Sequence, residues 1–95
     1  VLKIYLLTQT NNRGYDTYDS CVVAARSSEE ARLMHPRGDR AWDGHGWSYT
    51  DGTPSWVGRD EAGWAWHPDN VTVEEIGVTL AHTAPRVVCA SFNAG

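Results

Sequence analysis

Apolar and polar positions at the start of the chain fall into two short bursts. Leu2, Ile4 and Leu6 alternate with Lys3, Tyr5 and Leu7. Both sets are largely apolar, so the run predicts a strand covered on both faces and central in its sheet. The turn-forming cluster TNNRG, Thr10 to Gly14, interrupts it, and Cys21 to Ala25 reads as a second strand that can pair with the first through a long loop. The next segment, SSEEARLMHP, changes to helical signals. Ser27 followed by Glu30 forms a capping box, Glu29 and Glu30 suit the positive end of the helix dipole, and Pro36 ends the element. Ala31, Leu33 and Met34 supply a narrow apolar stripe for packing on a sheet face.

Periodicity then lapses between Arg37 and Asn70, a stretch that holds all five tryptophans and six of the nine glycines. An insert of this length in a compact domain is expected to order around its aromatics or to act as a lid. Within it, GWAWHP is read as a short strand with Trp64 and Trp66 on one side. Alternation resumes in NVTVEEIG, Asn70 to Gly77, and RVVCASF, Arg86 to Phe92, reads as the last strand. The connection from Val78 to Pro85 is long for a hairpin between these two strands. The predicted order is β-β-α-insert-β-β, an α+β domain with about four antiparallel strands and one helix on a face. Residues 1–95 form a single domain, with 37–70 as its Trp/Gly-rich insert.

Size and composition narrow the class. A chain of 95 residues supports one modest core, burying about 60–65% of the surface of the unfolded chain. The apolar runs Ile4 to Leu7 and Cys21 to Ala25 are far too short for a membrane span, and Lys3 precedes a strand pattern, not the apolar region of a signal peptide. Eight Lys and Arg against twelve Asp and Glu give a net charge of −4, which argues against duplex DNA as a partner. A few arginines and backbone N–H groups can still hold a small anion. Cys21 and Cys89 both fall in predicted strands, and two cysteines in so small a chain read as buried free thiols. The histidines lack metal-site spacing, and no phosphate loop or nucleophile elbow occurs, so no metal or cofactor is expected.

The candidate chemistry centres on GYDTYDS, residues 14 to 20. Asp16 and Asp19 are spaced to share a site, yet Asp is also a favoured turn residue. Tyr15 and Tyr18 offer faces for stacking, or they pack beneath the loop. Trp64 and Trp66 form a candidate stacking wall, although each of the five tryptophans also has a place in the core of a small domain without disulfides. Arg13 and Arg59 are the candidates to meet a phosphate. Asn93, at the end of the last strand, is placed to meet the Asn12–Ser20 loop.

KIYLLTQTNNRGYDTYDSCVVAARSSEEARLMHP, together with VVCASFNAG at the other end, resembles a family of small uncharacterised proteins encoded by phages and prophages. The resemblance covers both ends of the chain, about half its length, and leaves the tryptophan-rich middle unmatched. It implies a protein of the bacterial host cytoplasm, made during infection or from a prophage. The expected function is a non-enzymatic, counter-defence binding protein with a small nucleotide-like ligand at the aromatic and acidic loop. Two alternatives stand beside it. One is a protein inhibitor that presents Trp42 and Trp47 to a host enzyme; the other is a small hydrolase using Asp16 and Asp19. An exposed edge strand would permit a homodimer.

Overall fold

The computed structural model describes residues 2–52, 63–79 and 84–93. The first two bursts of apolar residues form β1 (Lys3–Thr8) and β2 (Thr17–Ala25). They pair antiparallel, from Lys3 opposite Ala25 to Thr8 opposite Ser20. β5 (Thr72–Val78) adds to the free side of β1 and β6 (Arg86–Asn93) to that of β2, giving the antiparallel order β5-β1-β2-β6. β1 is therefore internal, as its two apolar sets require. β5 and β6 do not form a hairpin with each other. They stand at opposite edges because each takes a different strand of the β1–β2 pair.

One face of the sheet is covered more fully than the other among the described residues. Tyr5, Leu7, Cys21, Val23 and Ala25 point into the core, while Ile4, Leu6 and Val22 on the opposite face are only half-buried. The burial on both faces read from β1 is thus complete only on the inner one. The inner layer combines α1 (Ser28–Arg32) with the insert, whose Trp47 and Trp64 join the core cluster beside Ala31 and Val71.

α1 begins as the sequence dictates: Ser27 Oγ accepts the Glu30 N–H at 3.2 Å, and Glu30 reaches back to the N–H of Arg26 at 2.8 Å. It stops earlier than Pro36, with Leu33 as its cap. The Leu33 carbonyl instead accepts the N–H of Trp42 at 2.9 Å, and Met34 bridges to Ala41. Leu33 is therefore turned out to solvent, 41% exposed, and does not continue the apolar stripe.

The described part of the insert has regular structure despite its lack of periodicity. It contains a small hairpin of β3 (Arg40–Trp42) and β4 (Trp47–Tyr49), in which Trp42 faces Trp47. The strand expected at GWAWHP is replaced by irregular chain and one 3-10 turn at Pro68–Asn70. His67 Nδ1 caps that turn by accepting the N–H of Asp69 at 3.0 Å, and Pro68 occupies its first position. No helix among the described residues is long and apolar enough to cross a membrane.

The two cysteines differ. Cys21 is buried in the core and Cys89 is exposed on β6, where an edge strand has a neighbour on one side only; both are free. Burial, with Cys89 nearby as the lesser cause, pushes the Cys21 thiol up to about 12. Iodoacetamide at pH 8 should therefore modify one thiol in the native protein, at Cys89. Peptide mapping that finds Cys21 labelled at a similar rate would contradict this assignment.

Candidate functional site

The GYDTYDS segment is half corner and half strand. Thr17 Oγ1 donates to the Gly14 carbonyl at 2.6 Å, closing the turn. Asp16 then takes a left-handed conformation, φ 58°, which Asp tolerates better than most residues. Its N–H donates to the Asn93 carbonyl at 2.7 Å, and Asn93 Nδ2 reaches the Gly14 carbonyl at 3.4 Å. Tyr18 lies against Phe92 with ring centroids 4.7 Å apart. Loop and tail are thus joined at one end of the sheet.

The corner is braced from within. Gln9, 4% exposed, donates from Nε2 to the Tyr18 and Asn12 carbonyls, both at 2.7 Å, and accepts the Asn12 N–H at 2.9 Å. Asn12 Nδ2 in turn donates to the Trp64 carbonyl at 2.9 Å. Gly63 (φ +70°) accepts the Tyr18 N–H at 2.7 Å and passes so close that an added Cβ would lie 2.8 Å from the Asp16 carbonyl oxygen.

These contacts sort the candidate residues. Arg13, Tyr15, Asp16 and Asp19 are exposed around the corner, and Tyr18 is half-buried beneath it. Asn93 is where the loop needs it. Trp64 and Trp66 do not form a shared wall: Trp64 is fully buried, whereas Trp66 is 39% exposed. Positions two apart share a side only in a strand, and the chain here is irregular. Its Trp64 carbonyl is drawn to Asn12 and its Ala65 carbonyl accepts Trp47 Nε1 at 2.7 Å. Arg59 lies outside the described residues.

Trp66 instead opens onto a cleft of ≈ 420 Å³ lined by Trp42, Gly44, His45, Trp66, His67 and Asn70. One wall is the His67 ring set edge-on to Trp42, with centroids 4.8 Å apart. Because His67 Nδ1 accepts a backbone N–H, the proton of the neutral ring sits on Nε2, which is left as a donor. The rim is the β3–β4 turn. There the Asp43 carboxylate accepts the N–H groups of His45 (2.7 Å) and Gly46 (2.8 Å) and a hydrogen bond from Ser48 Oγ. Gly44 supplies the positive φ that the turn requires. The Ser48 hydroxyl first, then the two backbone donors, hold the Asp43 carboxyl at about 2, below its usual 3.8.

The cleft offers aromatic faces, an imidazole donor and a carboxamide, and none of its described lining residues is Lys or Arg. That set suits a flat, neutral, hydrogen-bonding ring. Sequence reasoning missed Trp42, His45, His67 and Asn70 as a group. The available signal was WDGHGW, Asp-Gly and Gly between two tryptophans, which reads as a hairpin turn. A second groove, of ≈ 380 Å³ beside Ser27 and β5, has charged walls, and its Lys3 and Glu75 already pair with each other at 3.1 Å. No group of His, Cys, Asp and Glu among the described residues is arranged to hold a metal ion. No family model matches the chain, and neither a curated protein nor a solved structure does so.

Two measurements check this geometry. Gly63→Ala should lower the unfolding free energy by about 2 kcal/mol or more, from clash and backbone strain, with an unchanged urea midpoint by circular dichroism as the contrary result. Asp43 has a folded-state pKa below its unfolded value, so its support of the rim is complete above the usual carboxylate range and fades as pH falls toward 2. The amide resonances of His45 and Gly46 should therefore titrate with a midpoint near 2, and a midpoint near 4 would refute the arrangement.

Proposed function

We propose that this chain is a non-catalytic binding protein that receives a planar, nucleobase-like ligand in the cleft between Trp42 and Trp66. The observation that carries the reading is the exposed face of Trp66 over a cleft whose other wall is already an aromatic pair. Base stacking on such a ring is worth about 1–3 kcal/mol by alanine substitution. His67 Nε2 and the Asn70 carboxamide supply the polar contacts that orient a base edge.

With no Lys or Arg among the described lining residues, recognition rests on the ring. Arg13, a candidate phosphate partner from the sequence, belongs to the corner and not to the cleft lining. In the phage or prophage setting that the sequence resemblance implies, such a protein would act in the host cytoplasm by sequestering a nucleotide-like signal of host defence. Among the described tryptophans the inhibitor reading rests on Trp66 and the half-buried Trp42, since Trp47 and Trp64 are committed to the core. The hydrolase reading would rest on Asp16 and Asp19, which are exposed at the corner outside the cleft.

Isothermal titration with a panel of linear and cyclic nucleotides, nucleosides and free bases tests the proposal. The expected result is binding of comparable strength for a base and its nucleotide, with little salt dependence. Trp66→Ala should weaken binding by roughly tenfold or more without lowering the melting temperature. No heat with any member of the panel would overturn it.

A further inference from the structure

The 3-10 turn at Pro68–Asn70 is tied down on several sides. Its own bonds run from the Asn70 N–H to the His67 carbonyl at 2.9 Å and from the Val71 N–H to the Pro68 carbonyl at 3.0 Å. From α1, Arg32 Nη1 donates to the Pro68 carbonyl at 3.1 Å and also to the Val71 carbonyl. Val71 is buried in the core cluster directly after the turn. His67 and Asn70, at the two ends of this held segment, both line the cleft beside Trp66.

Their polar groups differ in kind. His67 Nδ1 is committed to the Asp69 N–H, so the neutral ring offers a donor at Nε2 and no acceptor. About half of the His67 side chain is exposed, which leaves that donor within reach of a ligand. The Asn70 carboxamide can present either its oxygen or its NH₂ group. The cleft therefore sets a one-way donor beside a reversible group.

Among the bases, this combination matches one edge. Adenine and guanine share an N7 acceptor, and the group next to it is a donor in adenine (N6) and an acceptor in guanine (O6). A fixed donor serves N7 in both, and a reversible amide serves either neighbour. Pyrimidines carry a C5 carbon in place of N7, so they leave the fixed donor without a partner on that edge.

We infer that the cleft reads purines as a class, with His67 Nε2 donating to N7 and the Asn70 carboxamide meeting the group at position 6. The inference rests on the cleft being the base site proposed above. His67 is then the residue that determines specificity, and the Asp69 N–H sets the tautomer through which it does so. Adenine and guanine are accepted alike, because the amide turns over between them.

Isothermal titration with guanosine and adenosine against their 7-deaza analogues tests the assignment, since replacing N7 by C–H keeps the stacking face and removes the acceptor. The two parent nucleosides should bind alike, each about tenfold more tightly than its analogue or than cytidine. His67→Asn separates ligand contact from turn stability: Asn Oδ1 still accepts the Asp69 N–H as a cap, but the shorter side chain brings no donor to the Nε2 position. This variant should keep its melting temperature and lose the preference for parent over analogue. His67→Gln, whose amide nitrogen reaches farther, should recover part of it. In the wild-type chain, the His67 Nε2 nitrogen resonance should move further with guanosine than with 7-deazaguanosine. Equal affinity within each pair, or a preference that survives in folded His67→Asn, would overturn the inference and leave the cleft a base site. No heat with any of these nucleosides would overturn both readings.

Discussion

Two carboxamides at the end of the sheet, Gln9 buried and Asn12 half-buried, organise the corner and the part of the insert attached to it. Gln9 spends its side chain on three backbone groups of the corner, and Asn12 passes that order on by holding the Trp64 carbonyl. Each such bond satisfies a backbone group that would otherwise cost about 1–3 kcal/mol when buried. With Trp64 held, the Ala65 carbonyl is placed to accept Trp47 Nε1, and Trp47 anchors the small hairpin against the sheet. The cleft exists because these attachments are made in series, from the β1–β2 corner to the insert and then to its turn.

Aromatic rings run through the same layer. His67 meets Trp42, Trp42 meets Trp47, Trp47 meets His35, His35 meets Tyr18 and Tyr18 meets Phe92, with centroid separations between 4.7 and 6.0 Å. Edge-on and tilted contacts of this type add about 0.5–1.5 kcal/mol beyond the area that they bury. A domain with a five-residue helix and no disulfide needs such a source of cohesion. Arg40 contributes in a related way. It is almost fully buried, its guanidinium lies 4.6 Å from the Tyr49 ring centroid, and Nη2 donates to the Tyr49 hydroxyl at 3.0 Å.

The sheet was legible because its signals are local. Alternation marked β1 and β5, short runs rich in apolar residues marked β2 and β6, Ser27 with Glu30 marked the helix start, and the mixed apolar character of β1 marked it as internal. The edge positions of β5 and β6 were not legible, since strand order depends on pairings between residues far apart in sequence. The corner was readable in part: Asp16 and Asn93 were placed together, but Gln9, whose side chain supports that corner, looks in sequence like an ordinary polar residue after a strand. The cleft was hidden for a different reason. Trp64 and Trp66 suggested a wall through strand alternation, and the chain there is bent by contacts to Asn12 and Trp47 that no local pattern encodes. Three-residue strands such as Arg40–Trp42 and Trp47–Tyr49 are also too short to establish a period.

Because Trp42 and Trp47 cross at 71° with centroids 5.3 Å apart, their indole transitions are coupled in a fixed chiral arrangement. The near-ultraviolet circular dichroism of the indoles is therefore a signature of the insert, while the amide I infrared band belongs mainly to the four-stranded sheet. The molecule carries separate optical reporters for its two layers. Whether those layers melt as one cooperative unit is written in whether the two bands vanish together.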